Sequence, residues 1–388
     1  MSEARVNNLS NESNTGGPTI TGITTFSGTH YFVPPVGNTA QRPDNPQKGA
    51  LRFNTDTAHL EYFKGDTIGW VEIEASHGQL DGGARGLYAG GYNPTSPTPT
   101  NVNTIEYSTI STLGNSQEFG DLIDQGYGIA GACDGTRCVF AGNAKGPYNY
   151  QDHIQYVTIS STGNATDSGF NTSSAGVAVG LNNKIRAIFG GNAPYTNILE
   201  YVTIQSLGTP VDFGDLHTAK SYMFTSASTT RGIIGGGVYC CPGVDYNRID
   251  YVTIATTGNP TEFGDISTNR YDGVSGSNAT RMVLAGGYGP NYTNIIEYLT
   301  IATLGNTSDF GDLVVPHASA TGMASQTRFI IGGGYSHPSP FINSIEYIEI
   351  MTTGNAKDFG DVSGSGGDNG NWRPKGTGSG NSSNHGGL

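Results

Sequence analysis

The chain has 388 residues, of which 59 are glycine, and charged residues make up only 13%. The glycines follow no three-residue period, which excludes a collagen-like helix, while 35% hydrophobic residues with 21 Tyr and 15 Phe supply enough apolar surface for a core. A formal net charge of -13 sets the surface field against phosphate backbones and anionic headgroups, so neither nucleic-acid nor membrane partners are expected.

Residues 1–22 are polar and rich in Asn, Ser, Thr and Gly, the composition of an arm that orders only against a partner. They lack the basic and apolar regions of a secretory leader, and no run nears the ~18–20 apolar residues of a membrane span, so a soluble protein made in a cytoplasm is expected. Residues 23–76 hold three short strand patterns, LRFNT, LEYF and WVEI, separated by Asp, Gly and Lys turns. A β module this small buries too little to be secure alone, which predicts attachment and self-association through residues 1–75.

Residues 77–370 are organised by a repeat. One segment recurs as IEYSTISTLGNSQEFGDL from Ile105, IQYVTISSTGNATDSGF from Ile154, LEYVTIQSLGTPVDFGDL from Leu199, IDYVTIATTGNPTEFGDI from Ile249, IEYLTIATLGNTSDFGDL from Ile296 and IEYIEIMTTGNAKDFGDV from Ile345. Its tyrosines are Tyr107, Tyr156, Tyr201, Tyr251, Tyr298 and Tyr347. A second segment, RGLYAGGY in its first copy, recurs in phase from Arg85, Arg137, Arg186, Arg231, Arg281 and Arg328. The I-x-Y-x-T-I core alternates like a strand and runs into a turn dipeptide, usually Gly-Asn, while R-x-Φ-Φ-G-G reads as a short buried strand ending at glycines. Between each F-G-D and the next Arg lies a small-residue stretch, such as SYMFTSAS from Ser221, suited to a crowded inner strand. With the outer strand around F-G-D, that makes four strands per repeat and predicts an all-β, kelch-like six-bladed β-propeller. The first blade lacks an inner strand of its own. Either the segment after Asp361 returns to complete it, which is favoured, or HGQLDGGA from His77 does; pairing the ends removes exposed sheet edges. Residues 371–388, rich in Gly, Ser and Asn, read as a loose tail.

No catalytic, cofactor-binding or metal-binding residue is singled out. The repeated arginines ask for a structural need in every blade, and bidentate pairing with Asp121, Asp215, Asp265, Asp312 and Asp361, or with the glutamates of the I-E-Y strand, is expected. Arg137 is the expected exception, because Asp167-Ser-Gly-Phe stands where D-F-G-D would be. The F-G-D aspartates are read as turn caps in preference to Ca²⁺ ligands, since no D-x-[DN]-x-[DN]-G string accompanies them. The eight histidines show no ligand spacing and are expected at the surface. Cys133, Cys138, Cys240 and Cys241 fit no disulfide framework or zinc pattern and are expected as free thiols. The loops after the glycine pairs, as in NAKGPYNYQDH from Asn143 and YSHPSPFINS from Tyr335, are rich in Tyr, Asn, Pro and Ser; they read either as an adaptable contact surface or as solvated loops. A propeller glycosidase is the remote enzymatic alternative, but Trp70 and Trp372 lie outside any S-x-D-x-G-x-T-W box, so no enzyme is expected.

The repeat I-[ED]-Y-x-T-I-x-[ST]-x-G-N-x-x-[DE]-F-G-D with its R-x-Φ-Φ-G-G strand resembles the repeated segments of tail-fibre-like virion proteins of marine cyanobacterial phages. Residues 36–73, with VGNTAQRP, KGALRFNTDT, LEYFKG and WVEI, separately resemble a short module of phage fibre and virion proteins. The glycine pair and following Tyr strand are also similar to kelch repeats, although every copy lacks the kelch Trp. These resemblances imply a virion protein, either a fibre-like appendage that meets a host-surface glycan or protein, or a capsid decoration or tail adaptor that contacts only other virion proteins. They also imply three-fold self-association through the N-terminal module.

Overall fold

The computed structural model describes residues 34–56, 59–73, 85–93, 100–145, 149–173, 176, 179–191, 195–239, 244–336 and 342–362. The chain divides into two compact units, Met1–Ala75 and Ser76–Leu388. Apart from a 3-10 turn at Thr39–Gln41, every described regular element is a strand.

In the first unit the three predicted strands form at Leu51–Asn54, His59–Phe63 and Trp70–Ile73, paired antiparallel in that order. A short strand, Val36–Gly37, adds in parallel to the Leu51–Asn54 edge. Phe63 meets Trp70 with ring centroids 5.5 Å apart. The interior also holds a charge. Glu61 is fully buried, and its carboxylate takes bonds from Arg42 at 2.5 Å and 3.2 Å and from Asn54 Nδ2 at 3.3 Å, with Arg52 3.4 Å away. The Arg42 guanidinium holds the Glu61 carboxyl below the usual carboxylate range against the opposing effect of burial.

The second unit contains five four-stranded antiparallel sheets, one three-stranded sheet and a two-stranded ribbon among its described residues. The fifth repeat shows the plan. Val274–Ser277 pairs with Arg281–Ala285, that strand with Ile295–Thr300, and that with Ser308–Asp312. The small-residue stretches form the first strand, as at Ala130–Cys133, Val179–Asn182, Phe224–Ala227 and Thr321–Ala324. In the first repeat, Arg85–Asn93, Thr100–Thr109 and Gln117–Asp121 pair in the same order. Of the segments considered as its fourth strand, residues 77–84 and all but Val362 of residues 362–370 lie outside the described residues, as does the tail 371–388.

Apolar residues bury between sheets rather than within them. The clusters around Phe140, Phe189, Met223, Phe224 and Phe329 join consecutive sheets from the first pair to the fifth-and-sixth. A further cluster puts Tyr88 and Ile110 of the first sheet against Met323, Ile330, Ile345 and Phe359 of the sixth. The backbone follows the same connectivity. Asp121 N–H donates to Asn164 Oδ1 of the second sheet, and the bond recurs from Asp215 to Asn259, Asp265 to Asn306, Asp312 to Asn355 and Asp361 to Asn115, at 2.9–3.1 Å. The last of these runs from the sixth sheet to the first. The F-G-D glycine permits the approach, because a Cβ on Gly120 would stand 2.3 Å from Gly163 O.

Two expectations are corrected. Cys133 and Cys138 form a disulfide, because the hairpin register sets them directly opposite with Cα atoms 4.0 Å apart. The spacing-based reading missed a pairing that only strand register creates. Cys240 and Cys241 lie outside the described residues. His317, expected at the surface, is buried, with Nδ1 2.8 Å from Val315 O, because it precedes the inner strand of the sixth sheet.

Candidate recognition surface

The repeated arginines do not converge on a site; one stands at each sheet. Each guanidinium lies over the tyrosine of its own sheet, 4.1–4.7 Å from the ring centroid. Its Nη1 donates to a main-chain carbonyl of the following sheet: Arg85 to Ile159, Arg137 to Ile204, Arg186 to Ile254, Arg231 to Ile301 and Arg281 to Ile350, at 2.8–3.1 Å. Arg328 reaches Ile110 of the first sheet at 3.1 Å. The expected carboxylate is therefore corrected to a carbonyl as the shared partner, although Arg328 also meets Glu349 at 3.1 Å. Arg137 is no exception. A carbonyl at the end of a neighbouring strand is present whatever the side chains there, so losing D-F-G-D costs Arg137 nothing. The tyrosines in turn meet the F-G-D phenylalanines edge-on, as Tyr251 does Phe263 at 6.2 Å.

The I-E-Y acids serve a different contact. Glu200, Glu297 and Glu346 are buried and accept the backbone N–H of Ser173, Ser267 and Val314 from the preceding sheet. Gln155 does the same for Ile123. Burial raises the Glu200 and Glu346 carboxyls despite these bonds.

The groups that do converge sit where the chain enters the inner strands. Tyr222, Asp272 and Ser319 occupy equivalent places before the fourth, fifth and sixth inner strands, with φ of 56°, 58° and 56°. Left-handed backbone is costly for such residues and here is held in place by neighbours. Asp272 N–H donates to Tyr222 O at 2.9 Å and Ser319 N–H to Asp272 O at 2.7 Å, and Ser319 Oγ donates to the Asp272 carboxylate. Beneath them Gly131, Gly180, Thr225, Ser275 and Gly322 line one small cavity, so five inner strands meet around it. Two residues before each, Lys220, Arg270 and His317 are buried. Burial brings the Lys220 ammonium down to about 8, lowers Arg270 despite its bond to Glu297, and lowers His317.

Around this entry lies a run of tyrosines. Centroid separations are 6.2 Å for Tyr222–Tyr271, 5.6 Å for Tyr271–Tyr288, 5.0 Å for Tyr288–Tyr292 and 5.7 Å for Tyr292–Tyr335. Four of them, with Asp272 and Asn291, line a depression of about 540 Å³. Burial and the neighbouring Tyr335 hydroxyl raise Tyr292. Another rim, in the second sheet, carries Asp124 between Lys145 and His153, each 2.7 Å away. Half-buried rings beside carboxylate and amide groups can stack on a ligand and hydrogen-bond its edge. Of the loops read as a contact surface, residues 94–99, 146–148, 240–243 and 337–341 lie outside the described residues, while Tyr335 lines the depression. Tyr222, Tyr271, Asp272, Tyr288 and Tyr292 were not singled out by sequence; the available signal was a Tyr count far above the six that the repeat strand uses.

Among the described residues, no three His, Cys, Asp or Glu side chains gather as a metal site, and no helix is long and apolar enough to cross a membrane. Compared with family models and with curated proteins, the chain matches none.

Proposed function

We propose that the second unit is a closed, six-bladed β-propeller acting as the recognition module of a tail-fibre-like virion protein, a binding protein and not an enzyme. The observation that carries this reading is the tyrosine-lined depression beside the point where five inner strands meet. Aromatic side chains on a rigid scaffold give large contact area at low entropic cost, the usual composition of a recognition face. The bonds from Arg328 to Ile110 and from Asp361 to Asn115 support closure of the ring. The first unit is the attachment and self-association module, as a trimer. Exposed Val36, Leu51, Ile68 and Ile73 on so small a sheet support that role, since a partner would cover them.

The test is adsorption competition. Purified full chain is added to cyanobacterial host cells before the phage, and phage adsorption is measured. Reduced adsorption together with saturable binding of the labelled chain is expected. A chain that coats particles but neither binds cells nor competes would instead be a capsid decoration or tail adaptor.

A further inference from the structure

We infer that the depression formed by Tyr271, Tyr288, Tyr292 and Tyr335 with Asp272 and Asn291 is a binding site for a neutral oligosaccharide, an inference that rests on the reading of this face as the recognition surface. A pyranose offers polarised C–H bonds on its flat side and hydroxyls around its edge. The depression offers the complement. Its lining is aromatic, with no aliphatic side chain to anchor an apolar peptide; the exposed Asn291 amide can accept from and donate to hydroxyls, while the Asp272 carboxylate, held by Ser319, contributes negative charge. The volume of about 540 Å³ falls within the ~300–1,000 Å³ typical of small-ligand sites.

Charge selects among sugars. Asp272 stands in the lining and the chain carries a net charge of -13, so a sialic or uronic acid would bring its carboxylate against like charge. The site is also built before any ligand arrives. The left-handed backbone of Asp272 is fixed by bonds to Tyr222 and Ser319, and each ring is braced by the next, edge-on for Tyr271–Tyr288 and Tyr288–Tyr292 and tilted for Tyr292–Tyr335. Little ordering cost remains for binding, which favours weak, flexible ligands such as glycans.

Full-length chain is applied to an array bearing neutral gluco-, manno- and galacto-oligosaccharides together with colominic acid, and to host cells before and after protease treatment. Retention on at least one neutral oligosaccharide, none on colominic acid, and protease-resistant cell binding are expected. Tyr292→Ala and Tyr335→Ala should each weaken glycan binding by about tenfold or more, with Tyr292→Phe retaining it and Leu304→Ser, on an exposed turn, leaving it unchanged. Should Tyr292→Ala lower the thermal midpoint, exposed Asn291→Ala must still weaken binding. Binding that survives the tyrosine and Asn291 substitutions overturns the site. Cell binding without retention on any neutral glycan, or abolished by protease, overturns the sugar while leaving the recognition reading intact; absence of both glycan and cell binding overturns both.

Discussion

Glu61 shows how a single residue can hold a module with little apolar interior. Two guanidiniums and an amide surround its carboxylate, so removing the charge strands buried donors. Glu61→Gln should destabilise the first unit by about 3–5 kcal/mol, the cost of breaking a buried pair, measured by chemical denaturation. The sign of the pH effect follows from the direction of the shift. A carboxyl held low in the folded state binds fewer protons there than when unfolded, so its stabilisation is present above the ordinary carboxylate range and is lost as pH falls through the folded value. Lys220 is a case of opposite kind. Its ammonium is buried with the Tyr246 ring 5.9 Å away, and its value falls to about 8 from an ordinary 10.5. Between those values the unfolded chain binds the proton more than the folded one does, so stability rises with pH across that window. Lys220→Met should therefore raise the thermal midpoint at pH 7, and its advantage over wild type should shrink as pH rises from 8 towards 10.5, read by scanning calorimetry.

At the scale of the strand, the repeat is a connector. Arg stacks on Tyr in each sheet and Tyr on Phe in the five that carry F-G-D, and the same Arg bonds the next sheet's backbone, so one side chain serves two sheets. Replacing Arg231 with Met keeps the stem and removes both the bond to Ile301 O and the cation over Tyr251. A loss of about 1–3 kcal/mol is expected, and Lys should restore only part of it because a point charge cannot stack flat on the ring. The Gly-Asn turn is the second connector. Asn259→Ala should destabilise by about 1 kcal/mol, since it removes the acceptor for Asp215 N–H. Thr209→Asn should be neutral. Thr209 stands where five other repeats have Asn, and the sheet before it carries Asp167-Ser-Gly-Phe in place of F-G-D. The Asn acceptor is absent at this junction, and the equivalent N–H, that of Phe170, bonds Ser168 Oγ at 3.1 Å instead, so the two sequence departures coincide where the motifs meet across neighbouring sheets.

For the whole molecule, the contacts between the sixth and first sheets are the ones that distinguish a closed ring from an open array. The backbone at Asp361 bonds Asn115 at 3.0 Å, and Phe359 O accepts from Gly114 N at 2.9 Å. With Cys240 and Cys241 replaced by Ser, cysteines at positions 115 and 361 should cross-link within one chain through a short bismaleimide, giving a faster-migrating monomer on a denaturing gel. Cross-linked dimers instead would show an open edge that pairs between chains. Sedimentation of the full chain should give three copies, and substituting Ile68 and Ile73 with Ser should reduce the assembly to monomers without altering the far-ultraviolet spectrum of the repeat sheets.

The all-β class, the strand pattern of each repeat and the three strands of the first unit were legible in the sequence, because alternation, β-branched content and turn dipeptides act over a few residues and are written where they act. The small inner strands were legible for the same reason, their residue size reporting crowding directly. Partnership was not legible. The arginines' carbonyl acceptors, the inter-sheet role of the I-E-Y acids and the Cys133–Cys138 bond each depend on which backbone lies opposite, and a main-chain carbonyl leaves no mark in composition. The tyrosine depression is the extreme case. Tyr288 and Tyr335 share one repeat position, after the glycine pair, but Tyr271 and Tyr292 come from turns that differ among repeats, and only the convergence of neighbouring sheets brings the four to one wall.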